Sequence, residues 1–357
     1  MRIVVAMSGG VDSSVAAALL VDAGYEVVGL SMQLYDQREA HDTPGGCCSL
    51  EDVHDARRVA DALGIPHYTV NFERRFRDTV VSNFVSEYVA GRTPIPCVHC
   101  NADLKFSTLL DRARALDADR VATGHFARLD RDPASGRHRL RRGADRARDQ
   151  SYFLFSLDQD QLDAAAFPVG SMTKAAVRDY ARARGLPVAD KPESREICFV
   201  PDGDYASFVE RQAPTTATSG SIVDTAGVTV GSHGGVHRFT VGQRRGLGLS
   251  SREPLYVLGL EATTQRVIVG PRAQLRCRSL EATDVSWVAG ASPPGAVRVR
   301  AQIRYQHVAA PATVTASGER DGLRAHVEFD EPQTAITPGQ AVVFYDADVV
   351  VGGGWIQ

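Results

Sequence analysis

The sequence predicts an α/β protein: an N-terminal domain built on a parallel sheet, a small middle domain and a C-terminal antiparallel β-barrel. Short apolar runs alternate with helical patterns as far as residue 123, and a Gly-, Ser- and Thr-rich stretch occupies residues 213–235. Alternating apolar and polar residues follow from about residue 273. Because 357 residues exceed one ordinary core, we predict domains at 1–204, 205–272 and 273–357.

The first domain is predicted from strands and helices that alternate along the chain. Strands are predicted at residues 2–6, 26–32, 67–70 and 120–123. Helices are predicted at residues 13–23, 51–64, 76–90 and 105–116. Such an order favours a parallel sheet covered by helices on both faces, which is a layout typical of nucleotide-binding domains.

The remaining two domains are predicted from turn residues and strand patterns. After residue 204, Gly, Ser and Thr indicate turns and short strands rather than long helices. Residues 296–305, 323–330 and 341–348 alternate apolar and polar side chains between Gly/Pro turns. That period of two predicts a compact antiparallel barrel.

Composition excludes several classes of protein. No apolar run approaches the roughly 18 to 20 residues that a membrane span needs, and the first ten residues lack a secretory signal pattern. We therefore expect a cytoplasmic protein with no membrane partner. Six cysteines are too few for a disulfide framework, so free, metal-binding or catalytic thiols are favoured. The net charge of −3 restricts any nucleic-acid site to a local surface.

A glycine loop, AMSGGVDSS at residues 6–14, lies between the first predicted strand and helix. Backbone N–H groups and the helix N-terminus favour an anion there, and adjacent Gly9 and Gly10 let the backbone approach phosphate oxygens. Asp12 can cap the helix or hold Mg²⁺. The loop has neither a Walker-type lysine nor GxGxxG spacing. A tight strand-to-helix turn is the alternative interpretation.

Two cysteines stand in polar surroundings. Cys100 is placed just before the predicted polar start of a helix, where the dipole would favour thiolate, and Cys198 lies in the turn-rich stretch 191–205. The alternative is two buried structural thiols. Cys47 and Cys48 form a redox pair or are loop residues, and we favour loop residues. Cys277 is predicted to be structural.

Four motifs occur in order: SGGVDS, TPxPxxxCNxxLKF, TGHFAR and SxEICFVPDGDY. The first resembles the loop of pyrophosphate-loop ATPases, and together they resemble the bacterial tRNA-specific 2-thiouridylase family from residue 1 into the barrel. The resemblance implies ATP-dependent adenylation of the C2 oxygen of a tRNA wobble uridine, followed by sulfur transfer from a cysteine persulfide. It also implies Mg²⁺, release of AMP and pyrophosphate, and a persulfide donor such as a cysteine desulfurase or a sulfur-relay protein.

The resemblance assigns roles to individual residues. Cys198 matches the persulfide carrier, and Cys100 matches the nucleophile that releases the sulfur as a disulfide forms. The positions matched to ATP binding are Ala6, Met7, Ser8, Gly9, Gly10, Val11, Asp12, Ser13, Met32 and Gly124. The positions matched to tRNA contact are Ile95, Pro96, Cys97, His125, Arg148, Asp149, Gln150, Arg304, Tyr305 and Gln340.

The chain departs from the family at Cys97, where many members carry Asp, and at Ile95, where they carry Asn. Cys97, Cys100 and Cys198 could together hold an iron–sulfur cluster with one open iron. Alternatively Cys97 is a spectator or redox partner in metal-free catalysis, which is the interpretation we favour.

Basic residues are concentrated in two stretches. Six arginines within residues 137–148 predict a positive surface for RNA or a solvated loop, and residues 237–248 add a basic loop in the middle domain. Two rival functions remain at this stage. Another adenylating ligase, such as an argininosuccinate synthetase, would not need paired cysteines. A non-catalytic tRNA-binding protein would retain nucleotide without releasing pyrophosphate.

Overall fold

The computed structural model describes residues 1–35, 50–192, 197–200, 202–216, 218–317 and 324–357. Cys47 and Cys48, for which we favoured a loop, lie outside the described residues. Within the described ranges, no helix is both long and apolar enough to cross a membrane.

The N-terminal part is built on a five-stranded parallel sheet, which confirms the predicted α/β class. Its strands and helices are β1 (Arg2–Ala6), α1 (Val11–Asp22), β2 (Glu26–Gln33), α2 (Leu50–Leu63), β3 (His67–Asn71), α3 (Glu73–Phe76), α4 (Ser82–Val89), α5 (Pro96–His99), α6 (Leu109–Arg114), β4 (Arg120–Ala122), β5 (Ala127–Arg131), β6 (His138–Arg142), α7 (Gln159–Ala164), β7 (Ala165–Ala166) and α8 (Lys174–Ala183). The sheet order is β3-β2-β1-β4-β7.

Alternation along β1 places apolar side chains on both faces of this sheet. Ile3 and Val5 belong to one buried cluster, whereas Val4 belongs to another. Because both faces pack against apolar side chains, the three central residues of the strand are buried and aliphatic, as expected for a doubly covered parallel sheet.

Two predicted helices contain π-helical turns. The helix predicted at residues 76–90 is α3 and α4 joined by a π segment, Arg77–Val81. The helix predicted at residues 105–116 begins earlier, at Pro96, and runs through a π segment, Cys100–Thr108, into α6. Pro is favoured at the first helical position because its missing N–H would have no partner there.

The middle part opens with α9 (Tyr205–Gln212), which the sequence did not predict. The Asp204 carboxylate accepts from the Ser207 backbone N–H at 3.0 Å and so caps this helix. Four strands follow: β8 (Gly220–Val223), β9 (Thr229–His233), β10 (Leu255–Glu261) and β11 (Arg266–Pro271). They pair in the order β10-β11-β8-β9 around a small core that includes Ile222 and Val257.

The C-terminal part is an antiparallel barrel, as predicted. Its strands are β12 (Arg276–Trp287), β13 (Ala296–Gln302), β14 (Ala310–Ser317), β15 (Arg324–Thr334), β16 (Ala341–Asp346) and β17 (Val349–Ile356). Their order is β12-β15-β14-β13-β16-β17, and pairing of β12 with β17 closes the barrel. Closure leaves neither strand as an open edge.

The hairpin β5–β6 of the N-terminal part joins the barrel sheet. β6 pairs with β17 through Arg141 and Val349. Three arginines of the basic stretch therefore form ion pairs rather than an open positive surface: Arg139 with Asp130 at 2.7 Å, Arg141 with Asp348 at 2.6 Å and Arg142 with Asp149 at 2.7 Å. The prediction of a dense positive patch was wrong for these three side chains.

Replacement of Arg142 by Ala is expected to destabilise the protein, because it leaves the Asp149 carboxylate, only 4% exposed, without its charged partner. We expect the free energy of unfolding to fall by about 3 kcal/mol. Arg146→Ala, on the exposed part of the same stretch, is the matched control. Denaturant unfolding measures both variants. Equal stability of the two would show that the Arg142–Asp149 pair contributes little.

Candidate active site

The glycine loop forms a concave turn between β1 and α1. Gly9 has φ +71°, and a Cβ at this position would lie 2.1 Å from the carbonyl oxygen of Asp52. Gly10 is the extended N-cap of α1 and offers no side-chain cap to the first helical turn. The Ser8 N–H donates to the Ser13 hydroxyl at 3.2 Å. This helix N-terminus is therefore suited to an anion.

Gly124, which follows β4, packs closely against the glycine loop. A Cβ at Gly124 would lie 2.5 Å from the backbone nitrogen of Ser13 and 2.6 Å from the carbonyl carbon of Asp12. By contrast, a Cβ at Gly10 would meet only the Ser8 hydroxyl, at an ordinary 3.5 Å. Close packing therefore requires glycine at residues 9 and 124 more strictly than at residue 10.

The residues matched to ATP gather at one edge of the parallel sheet. Ala6 ends β1, Met32 lies near the end of β2, and Gly124 follows β4. The Ser31 hydroxyl donates to the Met7 carbonyl at 2.8 Å and ties β2 to the loop. Ligands of open α/β sheets bind beyond the carboxyl ends of the strands. The structure thus brings these residues together.

Lys174, which the sequence analysis missed, lies beside the loop. It is the first residue of α8, is 8% exposed, and donates from Nζ to both carboxylate oxygens of Asp12 at 2.7 and 2.8 Å. The two residues are 162 positions apart, so no local pattern signals the pair. The sequence analysis considered Asp12 as a helix cap or a Mg²⁺ ligand, and neither interpretation includes this ion pair.

Within the described ranges, no group of three or more His, Cys, Asp or Glu side chains is suited to hold a metal ion. Mg²⁺ usually retains water and binds nucleotide phosphates through one or two carboxylates. Asp12 fits such a role because its carboxylate lies on the loop, with Lys174 as an alternative partner.

The helix that carries Cys97 and Cys100 begins at Pro96, with Ile95 as its N-cap. Cys97 is exposed in its first turn, whereas Cys100 is buried at the start of the π segment. The prediction that Cys100 precedes the helix was therefore wrong. Because the helix dipole acts chiefly on the first turn, Cys97 receives more of its effect than Cys100 does.

Cys198 is half-buried and packs against the apolar cluster that contains Cys100. The structure thus places both thiols at one cluster, although they are far apart in sequence. The neighbouring Phe199 ring is held 5.5 Å from Phe76 and 5.0 Å from Phe84, centroid to centroid, in edge-on contacts. These aromatic contacts anchor the segment that carries Cys198.

Lys191 anchors the chain ahead of Cys198. Its Nζ donates to the carboxylates of Asp52 at 2.6 Å and Asp55 at 2.5 Å. Burial opposes the charge of Lys191, but the hydrogen bonds to the two carboxylates raise its pKa overall. Since the Asp52 carbonyl also packs on Gly9, this ion pair connects Lys191 to the glycine loop.

His125 lies between aromatic rings next to the loop. Its Nδ1 is 2.7 Å from the Thr123 hydroxyl, and its ring centroid is 6.0 Å from that of Phe167 and 6.5 Å from that of Phe106. Burial, with a smaller contribution from the Lys105 charge, holds the pKa of His125 well below its ordinary value. The imidazole is therefore neutral near pH 7 and suited to packing against a base rather than to pairing with phosphate.

Asp149 and Gln150 make hydrogen bonds within the protein. The buried Asp149 carboxylate accepts from the Gly143 N–H at 2.9 Å as well as from Arg142. The Gln150 side-chain oxygen accepts from the Phe126 N–H at 3.0 Å. Arg148, next to them, is exposed. Of the three residues matched to tRNA contact here, Arg148 is exposed, Gln150 is partly exposed and Asp149 is buried.

Of the three barrel residues matched to tRNA contact, Tyr305 and Gln340 contact the N-terminal part, whereas Arg304 contacts the barrel itself. Tyr305 lies 4.6 Å from Phe153, centroid to centroid, and exposed Arg304 donates to the Thr334 carbonyl at 3.2 Å. The Gln340 side-chain amide donates to the Thr93 carbonyl at 2.9 Å. Cys277, predicted to be structural, is exposed on β12.

Comparison with known proteins covers the whole chain. Residues 1–202 match the tRNA methyl transferase HUP domain, 206–271 the tRNA methyl transferase PRC-barrel domain and 277–356 the aminomethyltransferase beta-barrel domain. The tRNA-specific 2-thiouridylase MnmA of Geotalea uraniireducens is 53% identical over 363 residues, covering 100% of this chain and 95% of that protein. The chain belongs to the tRNA-specific 2-thiouridylase family.

Other members of the tRNA-specific 2-thiouridylase family are similarly close. The protein from Geobacter metallireducens is 53% identical, covering 100% of this chain and 96% of its own. The protein from Solibacter usitatus is 52% identical, covering 99% of each chain. The resemblance inferred from the four motifs is thereby confirmed.

Proposed function

We propose that this protein is a tRNA-uridine 2-sulfurtransferase that converts the wobble uridine of certain tRNAs into 2-thiouridine. The relatives that match its full length are named tRNA-specific 2-thiouridylases. The observation that carries the proposal is the arrangement of the site: a glycine loop suited to an anion at the carboxyl end of β1, and two cysteines distant in sequence, Cys100 and Cys198, at one apolar cluster.

The first chemical step is adenylation. Because a uridine O2 is a poor leaving group, its attack on the α-phosphate of ATP, with release of pyrophosphate, converts it into part of an AMP leaving group. Ser8, Gly9 and Gly10, with the N-terminus of α1, would hold the phosphates. Met32 and Gly124 would frame the adenosine, and Mg²⁺ held by Asp12 would neutralise phosphate charge.

The second step is sulfur transfer. The terminal sulfur of a Cys198 persulfide attacks C2 and AMP departs, leaving the base joined to Cys198 through a disulfide. The Cys100 thiolate then attacks the Cys198 sulfur, breaks that bond and forms a Cys100–Cys198 disulfide. The electron pair remains on the sulfur of 2-thiouridine. An external thiol must reduce the disulfide before a persulfide donor protein reloads Cys198.

Binding of tRNA must bring one base to these thiols. The base has to leave the anticodon stack, so recognition should depend on loop shape and base flipping as well as charge. Exposed Arg148 and Arg304 are suited to phosphate, and Tyr305 to stacking. We assign Ile95, Pro96, Cys97 and His125 to contact with the base, while Asp149, Gln150 and Gln340 would support the surface.

The function is tested with purified protein, ATP, a persulfide donor and unmodified tRNA. We expect mass analysis of the digested nucleosides to show 2-thiouridine, and pyrophosphate release to require tRNA. Release that needs a different acceptor would indicate another adenylating ligase. ATP binding without tRNA-dependent release would indicate a non-catalytic tRNA-binding protein.

Replacement of Cys97 by Ala decides between metal-free and iron–sulfur chemistry. We expect Cys97→Ala to keep thiolation within about threefold of the parent, because the disulfide pair is Cys100 and Cys198. The protein is purified without oxygen, and iron and sulfide are measured. A stoichiometric cluster in the parent that is lost in Cys97→Ala, together with the activity, would make Cys97 a ligand and overturn the metal-free proposal.

A further inference from the structure

Thr93 lies where the three parts of the chain meet. Its backbone N–H donates to the Pro338 carbonyl at 2.8 Å, and its carbonyl accepts from the Gln340 side chain at 2.9 Å. Its hydroxyl is 3.4 Å from that of Thr240 in the middle part. One residue, three positions before Pro96, therefore contacts both the barrel and the middle part.

The barrel turn at residues 337–340 approaches Thr93 closely because it contains Gly339. This glycine has φ +85°, and a Cβ there would lie 2.8 Å from the Thr93 backbone nitrogen and 2.9 Å from the Arg92 Cβ. Its N–H donates to the Ile356 carbonyl at 2.9 Å, which fixes the turn to β17. A larger residue must displace the segment that enters α5.

A second barrel contact lies at the other end of α5. The Trp355 ring stacks on His99, with centroids 5.0 Å apart and an interplanar angle of 3°. His99 directly precedes Cys100, and Trp355 also contacts Phe155 at 6.0 Å. The barrel thus holds the short helix α5 both just before it starts and where it passes into the π segment.

We propose that Gly339 and Trp355 are positioning residues for α5, and that through them the barrel sets the orientation of Cys97 and Cys100 towards the target base. The role given to Cys100 rests on the function proposed above. A π segment adds a residue to the helical turn and makes the direction of its side chains sensitive to how the helix is held. Small misplacements of reacting groups reduce turnover strongly.

Gly339→Ala tests this proposal against Gly295→Ala. Gly295 also lies in a barrel turn and has φ +78°, but no atom lies within 4 Å of a Cβ built there. Gly295→Ala therefore introduces the same backbone strain as Gly339→Ala without the steric contact. We expect Gly339→Ala to lower the kcat of thiolation about tenfold while the KM for tRNA stays within about twofold. The alkylation rate of Cys97, measured by mass spectrometry without tRNA or ATP, should change about threefold or more. Gly295→Ala should leave all three near the parent values.

Trp355 supplies an independent pair of variants should Gly339→Ala fail to fold. Trp355→Leu removes the ring and should reproduce the loss of kcat, whereas Trp355→Phe should restore most of it. Equal behaviour of Gly339→Ala and Gly295→Ala, or a raised KM with unchanged kcat, would overturn the proposal. If the parent enzyme makes no 2-thiouridine, the proposed function fails, and the alkylation rates still decide whether the barrel positions α5.

Discussion

Cys198→Ser is expected to abolish formation of 2-thiouridine, with product falling at least about thousandfold, while tRNA-dependent pyrophosphate release continues. A serine hydroxyl cannot carry a persulfide, but adenylation precedes sulfur transfer and uses the glycine loop. Cys198 packs at the edge of an apolar cluster and is not itself part of that loop. The substitution should therefore separate the two chemical steps.

The matched control for this variant is Cys277→Ser, which removes an exposed thiol on β12. Nucleoside mass analysis and a pyrophosphate assay are run on both proteins. Retained thiolation in Cys198→Ser would exclude Cys198 as the carrier. Loss of pyrophosphate release together with thiolation would instead mean that Cys198 also shapes the nucleotide site.

Gly124→Ala is expected to reduce pyrophosphate release about a hundredfold, because the new methyl group must displace the loop that holds the phosphates. The backbone nitrogen of Ser13 would lie only 2.5 Å from the added carbon. Since Gly124 is outside the left-handed region, the effect comes from this contact and not from backbone strain. Overpacking of this kind costs about 1 to 3 kcal/mol, which most folded proteins survive.

Gly234→Ala controls for Gly124→Ala, since Gly234 follows β9 in the middle part, is also outside the left-handed region, and has no atom within 4 Å of a Cβ built there. Thermal unfolding of both variants shows whether the fold is kept, and ATP titrations show whether binding or turnover is lost. Normal pyrophosphate release in folded Gly124→Ala would mean that the nucleotide does not use this loop.

Much of the parallel sheet could be predicted because β1, β2 and β4 contain local apolar runs, whereas the two-residue strand β7 was not predicted. β1 was predicted at its observed bounds, and β2, β3 and β4 differ from their predictions by one residue at the C-terminal end. The glycine loop could also be predicted, since the residues that define it are adjacent in the sequence. The barrel followed from the period of two in its strands.

Two predictions were incomplete or wrong although the sequence contains the local signals that would have corrected them. Pro96 is favoured at the first position of a helix, and this signal places Cys100 inside the helix and not before it. Asp204, three residues before Ser207, is an ordinary N-cap arrangement for α9. Neither required information from distant parts of the chain.

Other features could not be predicted because they depend on distant contacts. The Lys174–Asp12 pair joins residues 162 positions apart, and the Thr93–Gln340 bond joins residues 247 positions apart. Likewise, the arginines of β6 resemble an RNA-binding patch by composition, but Arg141 pairs with Asp348, which lies 207 positions away. Composition shows the charges, whereas only the fold shows their partners.

The pairing of β6 with β17 has a consequence for synthesis on the ribosome. Arg141 binds Asp348, which follows it by 207 residues, so the hairpin β5–β6 emerges long before the strand that completes its sheet. At roughly 5 to 20 residues per second, the interval is about 10 to 40 s. During that time an unpaired strand edge is exposed on the nascent chain. Throughout this interval the Arg141 guanidinium can pair with Asp130 of the same hairpin, whereas Asp348 reaches it only when the chain is nearly complete.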